Sequence, residues 1–380
     1  MAVAYAPPVV PRTSQAGATR YDAVVVGAGP AGGVTTAVLA SRGMRTLLVD
    51  RARFPRQKLC GGCLAPAGMQ VLRRLDIASD VPGTDALRLE SLRIIARGVA
   101  HDLPIKPYAA VDRASLDHAI CEAAIARGAE FRDGVAAKVL PDDTVWLEHS
   151  GRSEILRPRV IVVADGVGGS ALSERSEFVP RVRKQSVIGV GTLIPQCPAY
   201  AGHNAITMVC ARSGYVGAAP SGNGHWSLAA ALHPTAVRSR GPIETLRQMF
   251  AESGLRMPEF AKGQLRGVGN MTRRRRCAAG RVLVVGDAAS YFQPLTGEGM
   301  SWGMACAEQI WPHAQAAARD EDVAERWQAA CTRTLRARHL MCRAVCTLAA
   351  HPRAVRCMLL AGSTTPAMGW LSRRLCWSPA

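Results

Sequence analysis

The chain has 380 residues, of which 48% are hydrophobic; this supports a large buried core and excludes a disordered chain. Its 47 basic and 29 acidic residues give a formal net charge of +18, and only five of the basic residues are lysine. This arginine bias and the 5% aromatic content argue against nucleic-acid binding, which usually mixes both cations and stacks bases on aromatic rings. A positive face towards an anionic membrane or substrate stays open.

The termini and cysteines indicate a cellular location. Residues 1–20 contain three prolines and no sustained apolar run, so we expect a flexible leader and no secretory signal. The uncharged stretch from Cys357 to Ser372 is too short to span a bilayer. Twelve cysteines in this length do not form a disulfide scaffold, so we expect reduced thiols and a cytoplasmic protein. Peripheral membrane contact and the oligomeric state stay open.

The first predicted elements form a βαβ unit with glycines at its turn. Tyr21–Val26 is a strand buried on both faces, Val34–Arg42 is a helix, and Thr46–Val49 is a second buried strand. The turn before the helix has the sequence Gly27-Ala28-Gly29-Pro30-Ala31-Gly32. This G-x-G-x-x-G pattern predicts a dinucleotide site, because its glycines permit a tight turn, close approach of a pyrophosphate and close helix–strand packing. The helix N-terminus also attracts the anion.

Asp50 ends the second strand, eighteen residues beyond Gly32. A carboxylate there can accept hydrogen bonds from both ribose hydroxyls, and it would repel a 2′-phosphate. We therefore predict cofactor contacts at Asp50 and its neighbour Arg51, and disfavour NADP at this site.

The middle of the chain changes character. A loop rich in Gly, Pro and Cys covers Phe54–Pro66, and a helix follows near Gly68–Asp76. Leu87–Ala110 predicts strands and turns, and Asp112–Gly128 predicts an amphipathic helix. Arg159–Ala164 predicts another buried strand, which Asp165-Gly166 closes.

The last third returns to the first pattern after an inserted region. Residues 179–269 have strand-like patterning, typical of a second, more antiparallel domain, whereas Val282–Val285 is again a buried strand that ends at Gly286-Asp287. Helices are predicted from Gly299 towards Gln309 and over 318–360. We therefore expect a discontinuous first domain (21–85, 112–178 and 270–315), a substrate domain (86–111 and 179–269) and a C-terminal helical segment (316–380).

Three segments carry a family resemblance. Gly286-Asp287-Ala288-Ala289, Pro294–Met300 and Asp165-Gly166 together resemble the flavoproteins that include p-hydroxybenzoate hydroxylase, flavin-dependent halogenases and geranylgeranyl reductases. The resemblance spans roughly Tyr21 to Ile310. It implies an α/β fold, with a glutathione-reductase-type FAD-binding Rossmann domain, an inserted sheet-rich substrate domain and a C-terminal helical segment.

The resemblance also implies FAD and several of its contacts. Asp287 would hold the ribityl chain, and main-chain donors near Gly297 and Gly299 would face the pyrimidine end of the flavin. Arg113 would contact the cofactor, and the helix dipole disfavours a cation at that first turn unless an anion is close. The predicted FAD-binding residues are Gly27, Ala28, Gly29, Pro30, Ala31, Gly32, Asp50, Arg51, Arg113, Asp165, Gly286, Asp287, Gly297 and Gly299.

Two further segments indicate a branch of the family. Lys58–Leu64 and Thr296–Gly299 resemble geranylgeranyl reductases, and Ser290 stands where the aromatic hydroxylases usually carry a His. This resemblance implies hydride transfer from flavin N5 to a carbon–carbon double bond of an apolar prenyl or lipid-like substrate, in a hydrophobic tunnel. Cys60 is the candidate catalytic proton donor.

Alternatives remain at this stage. A flavin-dependent monooxygenase acting on an aromatic or polyketide-like substrate would share the same flavin-binding residues, and so would a redox-sensing flavoprotein without turnover. With one G-x-G-x-x-G, the reductant, either NAD(P)H or a reduced electron-carrier protein, is expected to bind transiently. Cys60 and Cys63 form a single C-x-x-C pair, so we predict no metal. Arg273–Arg276 is expected to be a solvated surface cluster, or else a site for an anionic head group or an electron-donor protein.

Overall fold

The computed structural model describes residues 21–78, 87–222, 224–260 and 262–362. The predicted leader, the predicted domain boundary at residue 85, and residues 363–380 of the predicted C-terminal segment lie outside the described residues.

A largely parallel sheet of six strands is built from widely separated parts of the chain. Its strands, numbered in chain order, are β1 (Ala23–Val26), β2 (Thr46–Asp50), β6 (Glu130–Asp133), β10 (Val160–Val163), β18 (Ala278–Ala279) and β19 (Val282–Val284). The order across the sheet is β18-β19-β10-β1-β2-β6, and β18 is antiparallel to its neighbour. Every residue of β1, β2, β10 and β19 is buried, as expected for strands covered on both faces.

Helices cover this sheet and approach each other closely. They include α1 (Pro30–Ser41), α3 (Arg113–Ala126) and α5 (Gly299–Glu308). A Cβ on Gly33 would lie 2.5 Å from Cγ2 of Ile120, and one on Gly303 would lie 3.2 Å from the Cβ of Ala31. Glycines therefore let α1 contact α3 and α5 at close range.

Parallel pairing brings the ends of four strands to one edge. The backbone N–H of Gly27 donates to Val49 O at 2.8 Å, that of Ala164 to Val26 O at 2.7 Å, and that of Val285 to Val163 O at 3.0 Å. The turns that follow β1, β2, β10 and β19 consequently lie side by side at the carboxyl edge, where open α/β sheets bind ligands.

A second, larger sheet carries eight strands. They are β3 (Cys63–Leu64), β4 (Arg88–Ala96), β5 (Val99–Ala110), β12 (Ile188–Ile194), β13 (Ala205–Ala211), β14 (Gly214–Pro220), β15 (Trp226–Leu232) and β16 (Arg266–Val268). Their order is β16-β12-β15-β14-β13-β4-β5-β3. Pairing is antiparallel except between β4 and β13, which are parallel.

The strand-like prediction for residues 179–269 missed a helix. Helical turns α4 (Pro234–Glu252) interrupt the strands, with a kink at Gly241 (φ 77°, ψ 165°) before Pro242. The Gly-Pro pair interrupts the helical periodicity of the sequence. The helical turns after it bury Leu246, Met249 and Phe250 in a core shared with the large sheet. Tertiary packing of this face outweighs the local breaker.

The remaining elements complete the molecule. Strands β7 (Ala136–Val139), β8 (Val145–His149) and β9 (Arg152–Leu156) form an antiparallel meander that the sequence analysis had not separated. A small sheet contains β11 (Arg181–Val182), β17 (Arg273–Arg274) and β20 (Ser290–Tyr291). The other helices are α2 (Pro66–Arg74), α6 (Trp311–Ala317), α7 (Ala324–Ala349) and α8 (Pro352–Gly362).

Part of the expectation for Arg273–Arg276 is wrong. Arg274 and Arg276 are exposed, but Arg275 is only 7% exposed and Arg273 is half-buried. Arg273 and Arg274 form β17 in the small sheet, so their side chains point to opposite faces, and the next residue, Arg275, is buried near Asp165. The predicted α/β class and sheet-rich second unit are confirmed. Within the described residues, no helix is both long and apolar enough to cross a membrane.

Candidate functional site

The glycine turn has the geometry that an anion requires. A Cβ on Gly32 would lie 1.8 Å from Gly27 O, and one on Gly27, at φ 103°, would lie 2.5 Å from Ala164 O. A Cβ on Gly29 would meet only Arg56 Nη2, at 4.0 Å. The first and third glycines are thus required by packing, whereas the second faces open space at the N-terminus of α1, which has no side-chain cap.

The Asp50 carboxylate forms hydrogen bonds that stabilise this glycine turn. Its Oδ2 accepts from the backbone N–H of Ala28 at 2.9 Å and its Oδ1 from that of Ala52 at 2.9 Å, while Arg56 Nη2 lies 3.4 Å from Oδ2. The carboxylate therefore fixes the glycine turn, and each oxygen retains lone pairs for a further donor. Arg51 is exposed beside it.

The Gly286-Asp287 turn contacts the glycine turn at Gly27–Gly32. A Cβ on Gly286 would lie 2.8 Å from the Cβ of Ala31, so the turn after β19 touches the first turn of α1. The next residue, Asp287, lies 3.7 Å (Oδ1) from a Cβ placed on Gly299. Burial raises the pKa of Asp287, and the positive charges of Lys58 and Arg113 oppose that rise.

The turn that precedes α5 completes the part of the site around Asp287. Gly297 is left-handed at φ 65°, and a Cβ there would lie 3.8 Å from Cε1 of Tyr108. Glu298 occupies the cap position of α5 without a side-chain capping bond. The predicted pair Gly297 and Gly299 thus flanks a helix start that lies next to Asp287.

Arg113 has an internal partner that the sequence reasoning missed. Its Nε and Nη2 donate to the two carboxylate oxygens of Asp117 at 3.0 and 2.7 Å, and Arg56 Nη1 donates to Asp117 Oδ2 at 2.7 Å. Burial alone would lower the pKa of Arg113, but the Asp117 carboxylate outweighs it and raises that pKa. The anion that permits a cation at this helix start is therefore four residues away on the same helix, so the dipole argument for a cofactor contact fails. The contact itself stays a prediction.

The Asp165 side chain forms a hydrogen bond within the turn that follows β10. Its Oδ2 accepts from the backbone N–H of Ala171 at 2.9 Å, and Gly169 makes room, because a Cβ there would lie 1.9 Å from the Asp165 carboxyl carbon. Its other oxygen is buried without a partner among the described residues. Burial raises the pKa of Asp165, and the Ala171 bond and Arg275 oppose that rise.

A cavity of about 320 Å³ opens where the loop 57–62, the start of α3 and strand β12 meet. Its lining includes the apolar Leu59, Val111 and Leu193, together with three glycines and ten polar residues. The predicted hydrophobic tunnel stays a prediction, and the charged loop forms one wall of this cavity. Polar side chains on the wall are Gln57, Lys58, Cys60, Asp112, Arg113, Thr192, Ser221, Ser227, Gln264 and Arg266.

Cys60 stands at the junction of the two sheets. Its Sγ lies 4.0 Å from Sδ of Met300, in the first turn of α5, and its side chain lies near that of Arg113. Ser227, on the large sheet, donates to the backbone oxygen of Cys60. Cys63 is buried and its Sγ donates to Gly61 O at 3.2 Å, which agrees with a packing role.

Two cationic residues of the site, Lys58 and Arg275, were not predicted as site residues from the sequence. Lys58 Nζ lies 3.1 Å from a Cβ placed on Gly166; burial lowers the pKa of Lys58, and Arg113 and Arg56 lower it further. Lys58 is exposed to the cavity that it lines, while protein atoms crowd it on its other sides. Arg275 lies near Asp165. The rarity of lysine in the chain was the one sequence signal that could have marked Lys58 as a site residue. The alternating burial of Arg273–Arg276 could be predicted only once the strand β17 was known.

These residues fit FAD. The open position at Gly29 suits a diphosphate, and Asp287 presents a carboxylate to a polyol beside the α5 helix start. Buried guanidinium nitrogens of Arg273 and Arg275 and a carboxylate oxygen of Asp165 have no partner among the described residues, as expected of a site that completes its hydrogen bonds with a ligand. In the same part of the chain, no three His, Cys, Asp or Glu side chains group as a metal would need.

Sequence comparison identifies the family. A family model described as an FAD binding domain matches residues 20–311. A menaquinone reductase from Mycobacterium tuberculosis is 31% identical over 309 residues, covering 74% of each chain. A geranylgeranyl diphosphate reductase from Rhodobacter capsulatus is 32% identical over 163 residues, covering 41% of this chain and 40% of its own. Digeranylgeranylglycerophospholipid reductase 1 from Methanococcoides burtonii is 24% identical over 328 residues, covering 81% and 77%.

Solved structures share the fold. A flavoprotein/dehydrogenase from Cytophaga hutchinsonii superposes with a TM-score of 0.78 at 19% identity, covering 93% of this chain and 92% of its own. The myxobacterial chondrochloren halogenase gives a TM-score of 0.68 at 18% identity, covering 82% and 78%. The fold agrees with the family match, which extends over well more than half of the chain and includes both of its large sheets. The chain therefore belongs to the FAD-binding domain family and is an FAD-dependent oxidoreductase.

Proposed function

We propose that this oxidoreductase reduces a carbon–carbon double bond in an apolar, prenyl or lipid-like substrate. The relatives described above are named as reductases of menaquinone, geranylgeranyl diphosphate and digeranylgeranylglycerophospholipid, and these names support a reductase. The halogenase is related at the level of fold alone, so it does not weigh on the choice of reaction.

One observation carries the proposal: the Cys60 thiol lies in the cavity wall between Arg113 and the first turn of α5. Bound reduced FAD would supply a hydride to one carbon of the double bond. The Cys60 thiol would give its proton to the other carbon, and the thiolate left behind would face the Arg113 guanidinium. Water entering the cavity would return the proton to sulfur, so that charge and atoms balance over the cycle.

Other residues of the chain hold the cofactor in this proposal. The N-terminus of α1 at Gly29 would bind the diphosphate, Asp287 would accept hydrogen bonds from the ribityl hydroxyls, and backbone donors near Gly297 and Gly299 would bind the pyrimidine end of the flavin. The reductant would be NAD(P)H or a reduced electron-carrier protein that binds transiently, because the sequence holds one G-x-G-x-x-G.

Anaerobic mixing tests the reaction. The protein is photoreduced without oxygen and mixed with menaquinone or with a geranylgeranyl lipid, and the flavin absorbance is followed. We expect reoxidation of the flavin together with a product in which one double bond of the prenyl chain is saturated, as distinct from a quinone ring reduced to a quinol. Reoxidation that needs oxygen, with oxygen inserted into the product, would instead support a monooxygenase and contradict the proposal.

A further inference from the structure

The last two described helices carry a large excess of positive charge. From Arg326 to Gly362 the sequence holds seven arginines and no Asp or Glu. Arg326 pairs with Glu321 at 3.2 Å, and Arg338 is half-buried near Glu298. The other five are exposed, and within the described part of the chain none of them forms an ion pair. These five are Arg333, Arg336, Arg343, Arg353 and Arg356.

The first of these helices, α7, exposes apolar side chains in one stripe. Leu340 is 56% exposed, Met341 38% and Leu348 36%. Residues 340, 344 and 348 follow each other on one ridge of α7, and Arg336 and Arg343 flank it. The opposite side of α7 buries Cys342 and Cys346. Single exposed leucines are ordinary, but an apolar stripe bordered by cations is typical of a helix that lies in a lipid interface.

We propose that this face of α7 and α8, the basic face, docks on a membrane that contains anionic lipids. A second copy of the chain is a poorer occupant, since a symmetric dimer would bring the arginines of one basic face against those of the other. Anionic head groups match the arginines, while the leucines and the methionine enter the acyl boundary. The helices would lie on the membrane surface, as no described helix could span it.

The helix that carries the basic face packs, through its opposite side, against the candidate flavin site. The Sγ of Cys342, on the buried side of α7, lies 3.8 Å from Gln293 O, and the ring of His339 lies 5.6 Å from that of Trp302 in α5. Docking would therefore place the helix start at Gly297–Gly299 close to the lipid. The proposal does not depend on the substrate, because docking requires neither reduction nor a double bond.

Vesicle sedimentation of the flavin-loaded full chain tests the proposal without any turnover. The vesicles are pure phosphatidylcholine, or phosphatidylcholine mixed equally with phosphatidylglycerol. We expect binding to the mixed vesicles that weakens with salt, and little binding to the neutral ones. Arg336→Gln with Arg343→Gln should weaken binding about 30-fold, and Leu340→Ser with Leu348→Ser should weaken it as well.

A matched control has the same change of charge elsewhere. Arg238 and Arg240 are exposed on α4, and Arg238→Gln with Arg240→Gln should leave vesicle binding close to that of the unaltered protein. Equal losses in the two arginine pairs, or no binding to the anionic vesicles at low salt, would overturn the proposal. So would self-association in solution that Leu340→Ser with Leu348→Ser abolishes, because a second copy would then occupy the face.

Discussion

Gly286 and Ala31 touch across the molecule: a methyl group placed on Gly286 would lie 2.8 Å from the Cβ of Ala31. Ala31 belongs to the first turn of the first helix, and Gly286 follows the last strand of the parallel sheet. Their contact shows that the early glycine turn and the late Gly-Asp turn form one wall. A single extended cofactor can therefore reach both.

Substitution of two glycines of the turn Gly27–Gly32 should affect the stability of the fold and the affinity for FAD separately. Gly32→Ala places a Cβ 1.8 Å from Gly27 O, so we expect a loss of about 3 kcal/mol in the free energy of unfolding. Gly29→Ala meets only Arg56 Nη2 at 4.0 Å, so its melting temperature should stay close to that of the unaltered chain while FAD affinity falls. Denaturant unfolding and flavin titration check both, and the reverse ranking would contradict the packing argument.

Arg113 should contribute to stability through Asp117. The Asp117 side chain is fully buried, and Arg113→Met removes two of its hydrogen bonds, so we expect a loss of about 3 kcal/mol in the free energy of unfolding. In that variant the buried carboxylate keeps only its bond from Arg56, so adding Asp117→Leu should recover part of that loss. Urea unfolding of the two single variants and the double variant gives the coupling. Strictly additive losses would show that the two side chains do not act as a pair.

Cys60→Ala should slow alkene reduction without loss of flavin. The thiol supplies a proton in the proposed reaction, and general acid catalysis of this kind contributes about 10²–10⁴-fold to a rate. Anaerobic reoxidation of the photoreduced flavin measures the effect. Cys63→Ala is the matched control, since Cys63 is buried behind the loop and should leave the rate nearly unchanged. Equal rates for both variants would remove Cys60 from the chemistry.

Lys58 should lose its proton at a lower pH than the other lysines. Burial lowers the pKa of its ammonium, and the neighbouring Arg113 and Arg56 lower it further because they repel a third positive charge. The chain has only five lysines, so ¹³C-dimethylation followed by NMR titration gives a simple spectrum, and Lys58→Met assigns the signal. A common pKa for all five signals would contradict the crowded cationic environment.

The same depressed pKa has a consequence for stability. The unfolded chain keeps the Lys58 proton to higher pH than the folded chain, so the free energy of unfolding should rise with pH from the lowered pKa of Lys58 up to its ordinary value. Lys58→Met should flatten that rise in an alkaline series of urea unfolding curves.

The parallel sheet was readable from the sequence because its strands are buried on both faces. Val24–Val26, Thr46–Val49 and Val282–Val285 are apolar runs, and they are followed by Gly27, by Asp50 and by Gly286-Asp287, which are residue types that a dinucleotide fold requires. The helix α4 was not readable, since Gly241-Pro242 breaks its pattern and only packing against the large sheet sustains its later turns.

The site was readable where one short motif determines it, and unreadable where distant segments meet. Gly27, Gly29 and Gly32 define the turn by their spacing alone. The pairing of Arg113 with Asp117 was within reach, as residues four apart share a helix face. The approach of Lys58 to Gly166 and the inward turn of Arg275 arise from tertiary packing, which no local pattern encodes.

The central claim is that Gly29 and Asp287 hold the two parts of one FAD molecule. Its most direct test is the flavin-to-protein ratio, read from the visible absorbance of purified Gly29→Val and Asp287→Ala, with Gly269→Val as control because a side chain there meets nothing within 4 Å. The account predicts a full flavin complement in the control and little or none in either site variant, with circular dichroism unchanged in all three. A full complement of flavin in both site variants would contradict it.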